Sequence, residues 1–149
     1  MKILVSACLF GLNCRYCGGG CINEKIISLA SAHDLIPVCP EQLGGLPTPR
    51  EPDEILNGRV IEKNGKDNTL QFKKGAEETL KLAGLLGCST AVLKENSPSC
   101  GSSFVYDGHF SGTKIHGSGI TASLLIKNGI NVINETEAER LLIKKNEKE

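Results

Sequence analysis

Three short apolar runs, ILVSA, DLIPV and TAVL, each lead into a turn that carries a cysteine: Cys8, Cys39 and Cys100. Runs this short read as strands rather than helices, and their nearly continuous apolar character is that of strands covered on both faces. Helical patterns lie between them. Asn23 is placed to cap a helix reaching about His33, with Ile26, Ile27, Leu29 and Ala30 on its inner side. Phe72, Ala76, Leu80, Ala83 and Leu86 share one side of a helix expected over 69–86, which Gly87 stops. Another helix is expected from Ile120 to Lys127, a fourth strand from Ile130 to Ile133, and a last helix with Thr136 and Glu139 as its capping box. The alternation predicts a single α/β domain over residues 1–149: a Rossmann-like parallel sheet of about four strands, flanked by helices.

One stretch interrupts that order. Residues 40–68 contain Pro40, Pro47, Pro49 and Pro52, which oppose regular helix. A small hairpin is expected near Gly58 to Lys63, turned at Asn64-Gly65. A long irregular segment inside a compact domain usually has a function. A second hairpin is expected at Asp107-Gly108.

A chain of 149 residues needs no disulfides to hold a core, and seven cysteines cannot all pair internally. The apolar stretch before Cys8 is too short for a signal peptide, and no run reaches the roughly 18 apolar residues of a membrane span. These features predict a reducing, cytoplasmic setting and no membrane association. Net charge is zero and tryptophan is absent, so no broad basic surface for a long nucleic acid is expected. The lysine-rich end, LLIKKNEKE, is balanced by glutamate and reads as a solvated helix end.

If the three strands are parallel neighbours, Cys8, Cys39 and Cys100 open onto one sheet edge, where open α/β sheets bind ligands. Thiolates suit iron–sulfur clusters, zinc or copper(I), and cubane clusters usually take four cysteines. Three would leave one iron open. Taken singly, each cysteine also reads as a small buried apolar residue. Glu41 and Ser97 lie close to these cysteines in sequence, where a carboxylate and a hydroxyl can position and deprotonate a water. Each also reads as an ordinary turn residue. Cys14, Cys17 and Cys21 form a C-x2-C-x3-C set, a possible second thiol site with an incomplete ligand count. Gly117-Ser118-Gly119 before a helix resembles an anion cradle. Arg15 and Arg50 could add positive charge, but their default reading is surface arginine; Cys88 reads as packing, and His33, His109 and His116 show no metal spacing.

The set SACLFGLNCRY, PVCPEQLGGLPTPREP, LKENSPSCGSSFVYDGHFSGT and GSGITASLL resembles the thiouracil desulfurase family over nearly the whole chain. The resemblance implies a 4Fe–4S cluster held by Cys8, Cys39 and Cys100, with the fourth iron open to capture the substrate's sulfur. It implies a non-redox hydrolysis in which thiouracil and water give uracil and hydrogen sulfide. The family's catalytic carboxylate and hydroxyl map to Glu41 and Ser97. The expected partner is a small thiolated base or its nucleotide. Relatives tend to have RYDGG where this chain has RYCGG, so Cys17 stands in place of an aspartate. Two other readings use the same residues. One is a sulfurtransferase or sulfur carrier; the other is a non-enzymatic metal- or redox-sensing module switched by C-x2-C-x3-C.

Overall fold

The structure, a computed structural model, describes residues 1–142. In chain order these hold β1 (Lys2–Ser6), α1 (Glu24–Ser28), β2 (Asp34–Val38), α2 (Pro40–Leu43), β3 (Asp53–Leu56), β4 (Arg59–Glu62), α3 (Thr69–Leu86), β5 (Thr90–Leu93), β6 (Phe104–Tyr106), β7 (Lys114–His116), α4 (Ile120–Lys127) and β8 (Asn131–Asn134). Four strands form a parallel sheet in the order β2-β1-β5-β8. The chain steps outward from β1 to β2, returns past β1 to β5, and continues to β8. The reversal between β1 and β5 is a topological switch point, where crossovers on opposite faces leave a crevice at the carboxyl ends of the strands.

Alternate strand residues feed two cores. Ile3, Val5 and Val92 pack on one face with Ile26 and Leu29. Leu4, Ala91 and Leu93 pack on the other with Ala83 of α3 and Leu125 of α4. Ile3, Leu4 and Val5 are wholly buried, which accounts for the unbroken apolar run. Each such side chain contributes roughly 1.5–3 kcal/mol on burial. Edge strand β2 holds Pro37 in register with Val5.

Helices α3 and α4 have the bounds expected from their periodicity, and Gly87 ends α3 in the left-handed conformation at φ 70. Asn23 caps α1 by accepting from the N–H groups of Lys25 and Ile26, but α1 stops at Ser28 and continues as a 3-10 turn over Leu29–Ser31. Helix α2 is one turn long and begins with Pro40, whose missing N–H costs nothing at that position. It crosses α3 backbone against backbone. A Cβ on Gly75 would strike the Pro40 carbonyl, and one on Gly44 the Gln71 carbonyl.

Both hairpins exist with different turns. β3 and β4 pair antiparallel through Asn57-Gly58, both at positive φ, as a two-residue hairpin turn demands. Asn64-Gly65 instead turns the chain after β4, so that Asp67 bridges Ile61. β6 and β7 pair through the longer loop 107–113. After β8 the capping box uses Asn134 and Glu137, not Thr136 and Glu139. Asn134 Oδ1 accepts from Glu137 N–H at 2.8 Å, and Glu137 Oε1 accepts from Asn134 N–H at 3.2 Å. The end of the expected last helix, from residue 143 on, lies outside the described residues. No helix among the described residues is long and apolar enough to cross a membrane.

Candidate active site

A cavity of about 350 Å3 opens at the carboxyl ends of β1, β2 and β5. Cys8, Cys39 and Cys100 all line it, together with Glu41, Arg50 and Ser97. Cys8 sits in the 3-10 turn that continues β1, Cys39 is the residue before α2, and Cys100 lies in the loop after β5. Cys8 belongs to the core on one face of the sheet and Cys100 to the core on the other. The thiols therefore meet only around the sheet's edge, at the switch point.

Burial sets the acidity of Cys8 and Cys100. Desolvation pushes the Cys8 thiol up to about 11, with Cys21 adding to the rise and Lys94 opposing it. Desolvation raises Cys100 further, against a hydrogen bond from Ser6. Ser6 Oγ also accepts the Lys94 N–H at 2.9 Å, which ties the end of β1 to the end of β5. Such thiols stay protonated unless a cation takes the proton's place. Soft sulfur donors, two buried and one half-buried, facing one roomy cavity, fit a polynuclear iron–sulfur group. Among the described residues, no three His, Cys, Asp or Glu side chains close around a single ion.

Glu41 lies on α2, and the crossing with α3 fixes that turn. Arg50 Nε donates to Glu41 Oε1 at 3.2 Å, with the Arg50 side chain only 6% exposed. The rest of the guanidinium is spent on backbone and loop: Nη2 donates to Cys14 O, and Nη1 to Pro47 O and Thr48 Oγ1. Burial raises Glu41 above the ordinary carboxylate range, although Arg50 opposes the rise. Arg50 is thus a site residue and not the surface arginine expected from sequence. No local signal in a proline-rich loop tells one from the other.

Ser97 Oγ accepts from the N–H groups of Ser99 at 3.1 Å and Cys100 at 3.0 Å. This is the turn geometry expected of a serine before proline. Both lone pairs are engaged, so the hydroxyl has only its proton to offer. The same loop is locked from behind by α4. The N–H of Gly119 donates to Gly101 O, that of Ile120 to Pro98 O, and those of Thr121 and Ala122 to Ser99 O. The Gly117 N–H goes to Ser103 O, and Ser118 Oγ pairs with Ser123 Oγ. Of the anion cradle expected at Gly117-Ser118-Gly119, the N–H groups of Gly117 and Gly119 are therefore already taken, by the carbonyls of Ser103 and Gly101 beside Cys100. A Cβ on Gly119 would overlap Ser99, so glycine is required for this close approach.

The C-x2-C-x3-C residues separate. Cys14 is buried in the cavity wall, pushed up to about 12 by burial and by Cys39 beside it. Cys39 Sγ lies 3.8 Å from the Cys14 carbonyl oxygen. Cys21 is half-buried near Cys8, while Cys17 is exposed and away from the cavity lining. The three do not form a separate site. Glu95, in the cavity wall, is also structural. Burial favours its neutral acid, but hydrogen bonds from Asn134 and the backbone of residues 96, 103 and 104 outweigh this and hold the carboxyl below the ordinary carboxylate range.

A doubly covered parallel sheet with thiols, a carboxylate and a hydroxyl at its switch point defines an α/β protein with a thiol-lined ligand cavity. A family model for 2-thiouracil desulfurase matches residues 3–137, and the chain belongs to that family. It is 46% identical over 150 residues to the uncharacterized protein YbbK of Bacillus subtilis (strain 168), covering 94% of this chain and 99% of that one. Its structure is similar to that of the 4Fe–4S-dependent thiouracil desulfidase TudS, with a TM-score of 0.90, 40% identity and 97% coverage of both chains.

Proposed function

We propose that this chain is a 4Fe–4S-dependent desulfurase that removes sulfur from a thiolated pyrimidine by hydrolysis, with Cys8, Cys39 and Cys100 holding the cluster. The observation that carries the reading is the gathering of three thiols, two of them buried and one half-buried, with Glu41 and Ser97 on one cavity. Bound there, the cluster supplies a Lewis-acidic iron with an open position for the substrate's sulfur. The chain's own residues handle the water. Ser97 holds it by donating to its oxygen, the one hydrogen bond this hydroxyl has left to give. Glu41, its proton affinity raised by burial, takes the proton as the water oxygen adds to the thiocarbonyl carbon. Arg50 keeps the carboxylate in place and, being tied to backbone carbonyls, does not follow the proton. Collapse of the adduct leaves a carbonyl and releases hydrogen sulfide.

The cavity suits a single base or its nucleotide rather than a polymer. Seven unpaired cysteines among the described residues suit a reducing compartment, and we place the enzyme in the cytoplasm as one domain over residues 1–149.

Anaerobic reconstitution with iron and sulfide, followed by assay with thiouracils, tests the reading. The loaded protein should release sulfide and uracil in equal amounts. Cys100→Ala should lose both cluster absorbance and activity, whereas Glu41→Ala should keep the absorbance and lose roughly 10²–10⁴-fold in kcat. Sulfide release by Cys100→Ala would reject the assignment. Transfer of sulfur to an acceptor without free sulfide would favour a carrier instead.

A further inference from the structure

The loop joining β6 to β7 is held far more firmly than its exposed position requires. The Asp107 N–H donates to Thr113 O, Asp107 Oδ1 accepts from the His109 N–H, and Ser111 Oγ lies within hydrogen-bond reach of Asp107 Oδ2 and Thr113 Oγ1. From β3, Glu54 Oε1 accepts the N–H of Gly108 at 3.0 Å and that of Phe110 at 3.1 Å. Gly108 lies so close to β3 that a Cβ there would press on Ile55 O and Leu56.

These restraints hold Phe110 at φ 53, in the left-handed region. Among the described residues, the other non-glycine positions with positive φ are Asn57 and Asn96, a residue type that tolerates it. A bulky residue does not, and glycine would relieve the backbone. Strain kept at a residue facing a cavity marks a position where the side chain is needed. Phe110 lines the cavity, as do Tyr16 and Tyr106. Arg15 covers the Tyr16 ring at 5.8 Å and Lys114 the Tyr106 ring at 5.9 Å. Among the described residues, no ring or cation contact engages Phe110.

We propose that Phe110 is the ring platform of the cavity, stacking on the heteroaromatic ring of the substrate, with Glu54 as the positioning residue that holds it there. The proposal rests on the desulfurase reading above and names what selects a flat, conjugated ring over other thiocarbonyl compounds. Stacking of a base on an aromatic side chain is sequence-tolerant and strong enough to set affinity.

The test uses the cluster-loaded protein, with thiouracil turnover and calorimetric binding of uracil measured side by side. Phe110→Ala should raise KM for thiouracil and Kd for uracil together, roughly ten- to hundredfold. Its kcat should stay within about twofold and its cluster absorbance should be unchanged, because the ring binds and does not react. Phe110→Tyr should restore both constants and Phe110→Leu should not. Glu54→Ala should raise the same constants, while Glu54→Gln, which keeps a carbonyl acceptor for both N–H groups, should not. An unchanged uracil Kd in Phe110→Ala, or a fall in kcat with KM unchanged, overturns the platform. A wild-type protein that binds uracil yet releases no sulfide rejects the desulfurase reading, and the uracil affinities of the variants still decide the platform. A wild-type protein that does not bind uracil overturns it.

Discussion

At Glu41 burial favours the neutral acid and Arg50, 3.2 Å away, favours the carboxylate. Asp53 stands behind this pair. Burial pushes its carboxyl from 3.8 up to about 6, and Glu41 and Glu62 add to the rise while the Asn68 amide opposes it. The folded protein therefore holds this proton more tightly than the unfolded chain does. Stability falls as pH rises from about 4 to about 6, and the loss persists above that range. Asp53→Asn, which keeps an oxygen for the Asn68 Nδ2 donor, should flatten that slope and add on the order of 1–3 kcal/mol near neutral pH. Urea melts at both ends of the window measure this. Cys17→Asp should leave cluster and turnover unchanged, because the thiol is exposed and does not line the cavity. The three cysteines proposed as ligands, Glu41 and Ser97 stood out in the sequence because each lies close to a strand end. Arg50, Glu54 and Phe110 did not, because folding alone brings them to the cavity.

Among the elements, α3 and α4 were readable because long amphipathic periods and glycine or asparagine stops act locally. The hairpin turn was misplaced because two Asn-Gly pairs lie close together, and only pairing with β3 decides between them. The glycines before α4 were misread because their N–H groups are consumed by a loop distant in sequence. The crossing of α2 and α3 leaves no room for a side chain, so it acts as a rigid mount for Glu41. Gly75→Ala should force the two helices apart at a cost of about 1–3 kcal/mol. It should also lower kcat by displacing the carboxylate, with cluster absorbance kept. Chemical denaturation and steady-state kinetics check the two effects separately.

For the whole molecule, the site joins three chain segments that the sheet alone brings to one edge. A group bound to Cys8, Cys39 and Cys100 would cross-link the ends of β1, β2 and β5 from both cores at once. Loading the cluster should raise the melting temperature by about 5 °C or more, since a ligand that binds only the folded state stabilises it. Anaerobic melts with and without the cluster measure this, and Cys100→Ala should show no difference between the two. The opposite concern is the sheet's outer margin. Among the described residues, none pairs with the outer side of strand β2, and Pro37 sits within that strand. Proline fits there only where its missing N–H would face outward. The margin thus lacks a donor at the point where a neighbouring chain would begin to add a strand. The same short segment that delivers Cys39 to the cavity also guards the protein against growing into aggregates.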